Sequence, residues 1–329
     1  MRLSDFDYDL PKELIAQYPL KERDSARLLV LNRKDGTIEH RVFKEITDYL
    51  RQGDLLALND TKVLSCRLKA SRLTGGRVEI LLLSRKQGFV FDALLKPARL
   101  KIGEKVIFNG GNISATLSAK NELTFEADDI DGIYDLGKMP LPPYIKREPV
   151  DSDNLDYQTV YARNKGAVAS PTAGLHFTEA LMRKIKSSGV SVAYLTLHVG
   201  YATFKPVKIE DVTQHKMEAE DFKIPGEALS LLEDTKAKRG RVIAVGTTSC
   251  RALESFAAGS KEGKTSLFIY PGYNFKIVDC LLTNFHLPRT TLFMLVCAFA
   301  GERLMKKAYR EAIERKYRFY SYGDAMLIL

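Results

Sequence analysis

Apolar and polar positions divide the chain into two textures. From about Val63 to Asp135 they alternate with period two. Cys66, Leu68 and Ala70 alternate with Arg67, Lys69 and Ser71, and Leu123, Phe125 and Ala127 repeat the pattern. Val78–Leu83, Phe89–Leu95 and Lys105–Phe108 lie between them. Gly75-Gly76, Gly110-Gly111 and Asp131-Gly132 read as turns. Many short strands with this punctuation predict a small barrel or sandwich. Met139 to Asp156 follows, with Pro140, Pro142, Pro143 and Pro149, and reads as an extended linker leaving the β-rich unit.

Elsewhere strands alternate with helices. Arg27–Asn32 and Thr37–Val42 predict two strands around the turn at 34–36, and Phe43–Leu50 has helical spacing. Gly53 ends that helix before a buried strand at Asp54–Leu58. Thr178 caps a helix that runs to Ser188 and is closed by Gly189. Strands are predicted at Val190–Val199, Arg241–Val245 and Leu267–Tyr270. Helices are predicted at Gly226–Lys238, Ser249–Ala258, Thr291–Phe299 and Arg303–Tyr317. The expected fold class is α/β: a mixed-sheet main domain (1–61 and 157–329) interrupted by a small all-β, barrel-like domain (62–156).

With 329 residues the chain is long enough to bury a large core. Lys and Arg exceed Asp and Glu by 9, which permits a polyanionic partner without requiring one. The four cysteines (Cys66, Cys250, Cys280 and Cys297) form no Cys-x-x-Cys pair, so neither a zinc ribbon nor a redox motif is expected. The N-terminal MRLSDFDYDL has no apolar h-region. The longest apolar run, Leu292–Ala300, is far short of the roughly 20 residues that span a bilayer. The expectation is a cytoplasmic protein that does not engage membranes.

Several familiar motifs fail on context. Gly259–Thr265 imitates a phosphate-binding loop but is one residue short between its glycines, and a solvated hairpin turn explains it better. No Gly-x-Gly-x-x-Gly occurs. Ser249 lacks the glycines of a nucleophile elbow. The five histidines have no paired metal-ligand spacing, so no metal is expected.

Five segments carry candidate chemistry. In the first, a strand runs into Gly246-Thr247-Thr248-Ser249 and then a helix, offering free N–H groups, hydroxyls and positive dipole potential to an anion or ribose. Arg251 follows. An ordinary capped β–α turn is the alternative. In the second, Gly166–Thr178 holds Thr172, Gly174, His176 and Phe177 among small residues that admit close backbone approach. In the third, Tyr194–Phe204 ends a strand in a polar loop with Thr196, His198, Thr203 and Phe204. Taken alone, structural histidines explain the second and third segments better. The fourth, Leu282–Pro288, places Asn284 and His286 beside an aromatic and a proline turn. The fifth, Tyr317–Met326, interleaves basic and aromatic residues, which suits RNA. A solvated helix face explains its lysines and arginines equally well.

Taken together, the strings are specific. The chain closely resembles the S-adenosylmethionine:tRNA ribosyltransferase-isomerase family of queuosine biosynthesis. The resemblance rests on Leu3–Pro11, Ile15–Pro19, Arg23–Val30, Gly53–Thr61, Met139–Ile145, the five segments above and Ser321–Leu327, and is effectively full length. Two departures touch the loops of the expected site: Tyr201-Ala202 stands where glycine-rich sequence is expected, and Ser170 stands where alanine is expected.

The resemblance implies that S-adenosylmethionine donates its ribosyl group, as a co-substrate and without further cofactor. The implied acceptor is 7-aminomethyl-7-deazaguanine at the wobble position of the tRNA anticodon stem-loop. The implied products are epoxyqueuosine-tRNA, adenine and methionine. Such a reaction needs a base, a proton donor for adenine and a carboxylate binder. His176 and His198 are the expected proton-transfer pair, with Asp324 a rival base or a holder of the acceptor ammonium. The Gly246–Ser249 turn and Arg251 are expected to bind carboxylate or ribose. Phe177, Phe204 and Tyr322 are expected to face the sulfonium. Thr172, Gly174, Thr196, Thr203, Asn284 and His286 complete the expected substrate-binding set, in a chain expected to act as a monomer. A non-catalytic RNA-binding protein, or a nucleoside transferase acting without RNA, would fit parts of the same pattern.

Overall fold

The computed structural model describes residues 1–329 except 98–99, 109–111 and 205, and all described side chains but those of Ala202 and Phe204. The first strands are β1 (Arg27–Leu31), β2 (Ile38–Val42), β3 (Leu55–Asn59) and β4 (Thr61–Val63). The β-rich segment gives β5 (Arg67–Arg72), β6 (Arg77–Arg85), β7 (Val90–Lys96), β8 (Lys105–Phe108), β9 (Ser114–Ala119) and β10 (Glu122–Glu126). Then come α1 (Ile130–Asp135), α2 (Asp153–Asp156), β11 (Asn164–Ala167), α3 (Glu179–Ser187), β12 (Ser191–Leu197), β13 (Glu220–Lys223) and α4 (Gly226–Ala237). The chain continues through β14 (Val242–Val245), α5 (Gly246–Ala257), β15 (Glu262–Thr265), β16 (Cys280–Asn284), α6 (Thr291–Ala300), α7 (Glu302–Glu314) and β17 (Ala325–Ile328).

The main sheet has nine strands in the order β15-β13-β12-β3-β14-β16-β17-β1-β2. Its centre, β12, β3, β14 and β16, is parallel. Every residue of β3, β14, β16 and β17 is buried, as strands covered on both faces require. Alternation sorts their side chains between two cores. Leu29, Leu31, Ala244 and Leu281 meet residues of α4–α7 on one face. Leu28, Val30, Ile243 and Leu282 meet Phe43, Ile46 and the apolar stripe of α3 on the other. Thr178 caps α3 by accepting from the Leu181 N–H at 3.1 Å.

The alternating segment closes into a six-stranded antiparallel barrel, β10-β7-β6-β5-β8-β9. Leu68, Ile80, Phe91, Val106, Leu117 and Phe125 fill it. Closure removes the edges that short strands otherwise expose. The parallel pair β4–β11 carries the chain from the sheet to the barrel and back.

Several expectations change. Phe43–Tyr49 is a 3-10 helix, tighter than the helix its spacing predicts. Asp131-Gly132 lies inside α1, because Asp129 caps it through the Gly132 N–H at 2.7 Å. Gly110-Gly111 lies outside the described residues. The strand expected at 267–270 is irregular, and the strand there is β15, within the segment read as a solvated turn and paired with β13. Helix α5 starts at Gly246, three residues before its predicted start, so the Gly-Thr-Thr-Ser run is the first turn of a helix.

The proline-rich stretch is a packed strap. Met139, Leu141 and Ile145 are buried with Tyr157 and Tyr322. Asp153 is fully buried, accepting from both terminal nitrogens of Arg147 at 2.7 Å and from the Tyr322 hydroxyl at 2.8 Å. Proline suppresses regular structure without preventing burial.

Candidate active site

Because β12, β3, β14 and β16 are parallel, their C-terminal ends emerge on one edge, where open α/β sheets place ligands. A cleft with about 490 Å³ of empty space opens there. Its walls come from all five candidate segments and from the strap, which supplies Tyr144. They include Thr172, Thr203, Gly246, Thr247, Thr248, Asn284 and His286.

The floor is the first turn of α5. Gly246 has φ of +86°, a left-handed conformation that favours glycine and turns β14 directly into the helix. Val245 at the cap offers no side-chain hydrogen bond, so the first-turn N–H groups have no local cap. Asn59 at the end of β3 orients this turn. Its amide donates to Leu197 O at 2.9 Å and to Thr248 Oγ1 at 3.2 Å, and its Oδ1 accepts from the N–H groups of Leu197 and Thr61. Ser170 Oγ, in the cleft wall, is buried without a partner among the described residues.

A polar chain runs from the wall inward. Thr172 Oγ1 donates to Asn284 Oδ1 at 2.9 Å, and Asn284 Nδ2 contacts His176 Nε2 at 3.2 Å and donates to Tyr320 O. His176 also has a backbone hydrogen bond at Arg23 and packs on Phe43 with ring centroids 4.9 Å apart. Burial pushes His176 down to about 4, opposed by that hydrogen bond and helped by the charges of Arg318 and Arg23. His286 lines the cleft itself, and burial pushes it to about 3. Both imidazoles are therefore neutral near pH 7.

His176 also lines a smaller cavity of about 320 Å³ with Arg23 and Tyr322. Ser321 lines both this cavity and the cleft.

The two expected catalytic histidines are not brought together. His198 points away from the cleft. Its Nδ1 lies 2.8 Å from Thr61 Oγ1, and a side chain on Gly166 would strike its ring at 2.7 Å. Thr196, on the same strand face, donates to buried Asp60 at 2.7 Å.

Other expected ligand contacts turn inward too. Asp324 is buried, accepting from the Arg27 and Arg318 N–H groups and the Arg27 guanidinium. Phe177 is a core residue set edge-on to Phe43. Tyr322 is tied to Asp153. A β-carbon on Gly174 would lie 2.1 Å from Tyr161 Oη, so this glycine serves packing. Ser249 is buried beneath the cleft. The Phe204 side chain lies outside the described residues.

Arg251 is engaged within the protein. It forms a buried ion pair with Glu220 and donates through Nε to Leu267 O, while Nη2 has no partner among the described residues. Glu220 also accepts from the Gly200 N–H at 2.8 Å and from Thr203 Oγ1 at 3.1 Å, fixing the loop that carries Thr203 to the cleft.

Sequence reasoning missed Asn59, Glu220, Tyr144 and Tyr320. Each acts through a partner remote in sequence. The family-resemblance strings Gly53–Thr61 and Met139–Ile145 contain Asn59 and Tyr144, and the fifth candidate segment contains Tyr320, while no signal points to Glu220.

A family model described as queuosine biosynthesis protein matches residues 3–328. The chain is 52% identical over 336 residues to an S-adenosylmethionine:tRNA ribosyltransferase-isomerase of Sulfurihydrogenibium sp. (strain YO3AOP1), covering 100% of both chains. It is 50% identical over 343 residues to that of Halothermothrix orenii, again covering 100% of both. A crystal structure of an S-adenosylmethionine tRNA ribosyltransferase from Thermotoga maritima matches with a TM-score of 0.59 and 40% identity, over 99% of this chain and 100% of that one. Strand order, cleft and full-length similarity lead to one assignment: the chain belongs to the queuosine biosynthesis family of S-adenosylmethionine:tRNA ribosyltransferase-isomerases.

Proposed function

We propose that this chain transfers and isomerises the ribosyl group of S-adenosylmethionine onto 7-aminomethyl-7-deazaguanine at the tRNA wobble position, releasing adenine and methionine. The observation that carries the site assignment is the meeting, in one cleft, of an uncapped helix N-terminus with the His286 imidazole, with His176 linked to the same wall through Asn284.

The sulfonium acidifies the adjacent C5′ protons, so a base can remove one. Ribose opening and loss of adenine follow. The acceptor amine then attacks the rearranged sugar, and methionine leaves as the epoxide closes. The first turn of α5, with Thr247 and Thr248, binds the carboxylate or the ribose hydroxyls. Ser170 and Thr203 supply further hydroxyls. His176, reached through Asn284, and His286 are the proton-transfer groups. Tyr144 and Tyr320, whose rings meet edge-on at 3.8 Å in the cleft wall, offer π faces to the sulfonium. His198, Asp324, Thr196, Phe177, Gly174, Ser249, Arg251 and Tyr322 act as positioning residues in this scheme.

We place residues 1–61 and 157–329 in the catalytic domain and 62–156 in the inserted one. We take the chain to act as a monomer. Four buried, unpaired cysteines support a reducing cytoplasmic setting. Among the described residues no helix is long and apolar enough to cross a membrane.

The test is adenine and methionine release from S-adenosylmethionine, with and without tRNA carrying the deazaguanine base. Release only with the modified tRNA is expected. Folded protein that binds both substrates and releases nothing would overturn the proposal in favour of a non-catalytic RNA binder.

A further inference from the structure

The outer wall of the barrel carries a cavity with about 530 Å³ of empty space, separate from the cleft. Arg67, Lys69, Lys138 and Glu148 line it, over an apolar floor that includes Phe108 and Leu136. Alternation along β5 puts Arg67 and Lys69 on the same outward face. Lys138 is held beside them by the backbone. Arg67 N–H donates to Lys138 O at 3.2 Å, and Lys138 N–H donates to Arg67 O at 2.8 Å. Gly137 permits this approach, since a β-carbon there would lie 1.7 Å from the Ser65 carbonyl oxygen.

Three cations thus face one carboxylate. Glu148 pairs with Lys69 at 3.0 Å, while Arg67 and Lys138 have no ion pair among the described residues. Arg67 and Lys138 also help Lys69 to hold the Glu148 carboxyl below its usual range. This leaves an unneutralised charge of two over an apolar floor.

The strap joins this cavity to the cleft. Lys138, just before it, and Glu148-Pro149, within it, line the cavity, and Tyr144, between them, lines the cleft. Tyr144 is fastened there by its hydroxyl contact with Ser321. The positive cavity therefore has a fixed relation to the proposed reaction centre.

We propose that this cavity binds a phosphodiester group of the substrate RNA, with the strap setting its distance from the nucleotide in the cleft. The proposal rests on the tRNA reading above. It assigns backbone recognition to the barrel and chemistry to the sheet.

The experiment is steady-state adenine release from the full chain with the modified tRNA, over a range of NaCl concentrations. For R67E/K138E the expected result is a rise in the KM for tRNA of about tenfold or more, with a salt dependence flattened by about one to two in log–log slope. The KM for S-adenosylmethionine and kcat at saturating tRNA stay at wild-type values. E148Q removes the opposing carboxylate and is expected to lower the KM for tRNA by about two- to threefold. K34E/K184E, at two exposed positions on the main domain, makes the same change in net charge and is expected to leave that KM within about twofold. If the charge reversal fails to fold, R67Q/K138Q gives a smaller rise of the same sign.

Folded variants with wild-type KM for tRNA and wild-type salt dependence overturn the proposal while the enzymatic reading stands. Equal effects from K34E/K184E and R67E/K138E also overturn it, since net charge then explains the result. Inhibition by millimolar inorganic phosphate that the double variant relieves, with an unchanged KM for tRNA, identifies a free-phosphate site and overturns it too. A wild-type protein without tRNA-dependent release removes the underlying reading instead.

Discussion

The sheet and the barrel treat buried polarity in opposite ways. Among the described residues between Arg67 and Glu126, Ser114 is the one polar side chain that is buried. The sheet unit buries Asn59, Asp60, Glu220, Arg251, Glu254, Thr283, Asn284, His286 and Asp324, among others. Burying such groups is costly unless they are hydrogen-bonded, and nearly all of these are. Glu254 illustrates it, accepting from the Tyr273 hydroxyl and from the N–H groups of Lys276, Ile277 and Val278. The barrel is held by apolar packing and keeps its charges outside. The sheet commits polar networks to placing a few groups at one edge. Preorganised chemistry belongs to the second kind of construction.

This contrast can be tested by substitution. The largest effect is expected from His176→Ala, which should lower kcat for adenine release by about 10²- to 10⁴-fold with the fold intact by circular dichroism. Near wild-type turnover would remove His176 from proton transfer.

Two stability losses come next. Glu220→Ala strands the buried Arg251 charge and should cost about 3–5 kcal/mol in urea unfolding, with a raised KM for S-adenosylmethionine because the Thr203 loop is released. Phe91→Ala empties the barrel core beside Phe125 and Tyr134 and should cost a similar 3–5 kcal/mol. Here the KM for S-adenosylmethionine should stay within about twofold. If Phe91→Ala moves that KM as far as Glu220→Ala does, the division of labour between sheet and barrel fails.

A smaller effect is expected from pH. His176 titrates near 4 when folded and near its ordinary 6.5 when unfolded. Between those values the unfolded chain binds more protons. The stabilisation is complete above 6.5 and is lost as the pH falls toward 4, with a limiting size on the order of 3 kcal/mol. His176→Gln should therefore show a shallower fall in Tm than wild type between pH 7 and 4.5. Equal slopes would contradict the assigned burial of His176. Smallest of all, Lys105→Gln removes an exposed pair with Glu126 on the barrel wall and should leave the urea unfolding midpoint at its wild-type value.

Local physics made much of the architecture legible. Period-two alternation between Val63 and Asp135 marks a barrel whose interior is the apolar half of that alternation. Thr178 and Gly189 mark the ends of α3 because caps are read over three or four residues. Legibility ended where partners are remote. Arg251 looks like a free anion binder until Glu220, 31 residues away, is placed against it. His176 and His198 sit on adjoining loops, but strand alternation sends His198 behind the wall that Val199 faces. The strap was hidden because its prolines carry the same signal in a linker and in a packed segment. The cleft residues Thr172, Asn284, His286 and Gly246–Thr248 were legible because each closes a strand or opens a helix on the edge where parallel strands end.

The position of β17 bears on how the chain is made. This strand lies between β16 and β1, antiparallel to one and parallel to the other. During synthesis β1 and β16 leave the ribosome with that slot empty. The sheet closes only when residues 325–328 have emerged. The barrel needs nothing beyond β10 to close its ring of strands. A nascent chain thus holds a finished barrel while two half-paired strands, β1 and β16, wait beside it. A chain that ends before residue 325 lacks the strand that pairs with both, and leaves their edges open to other chains.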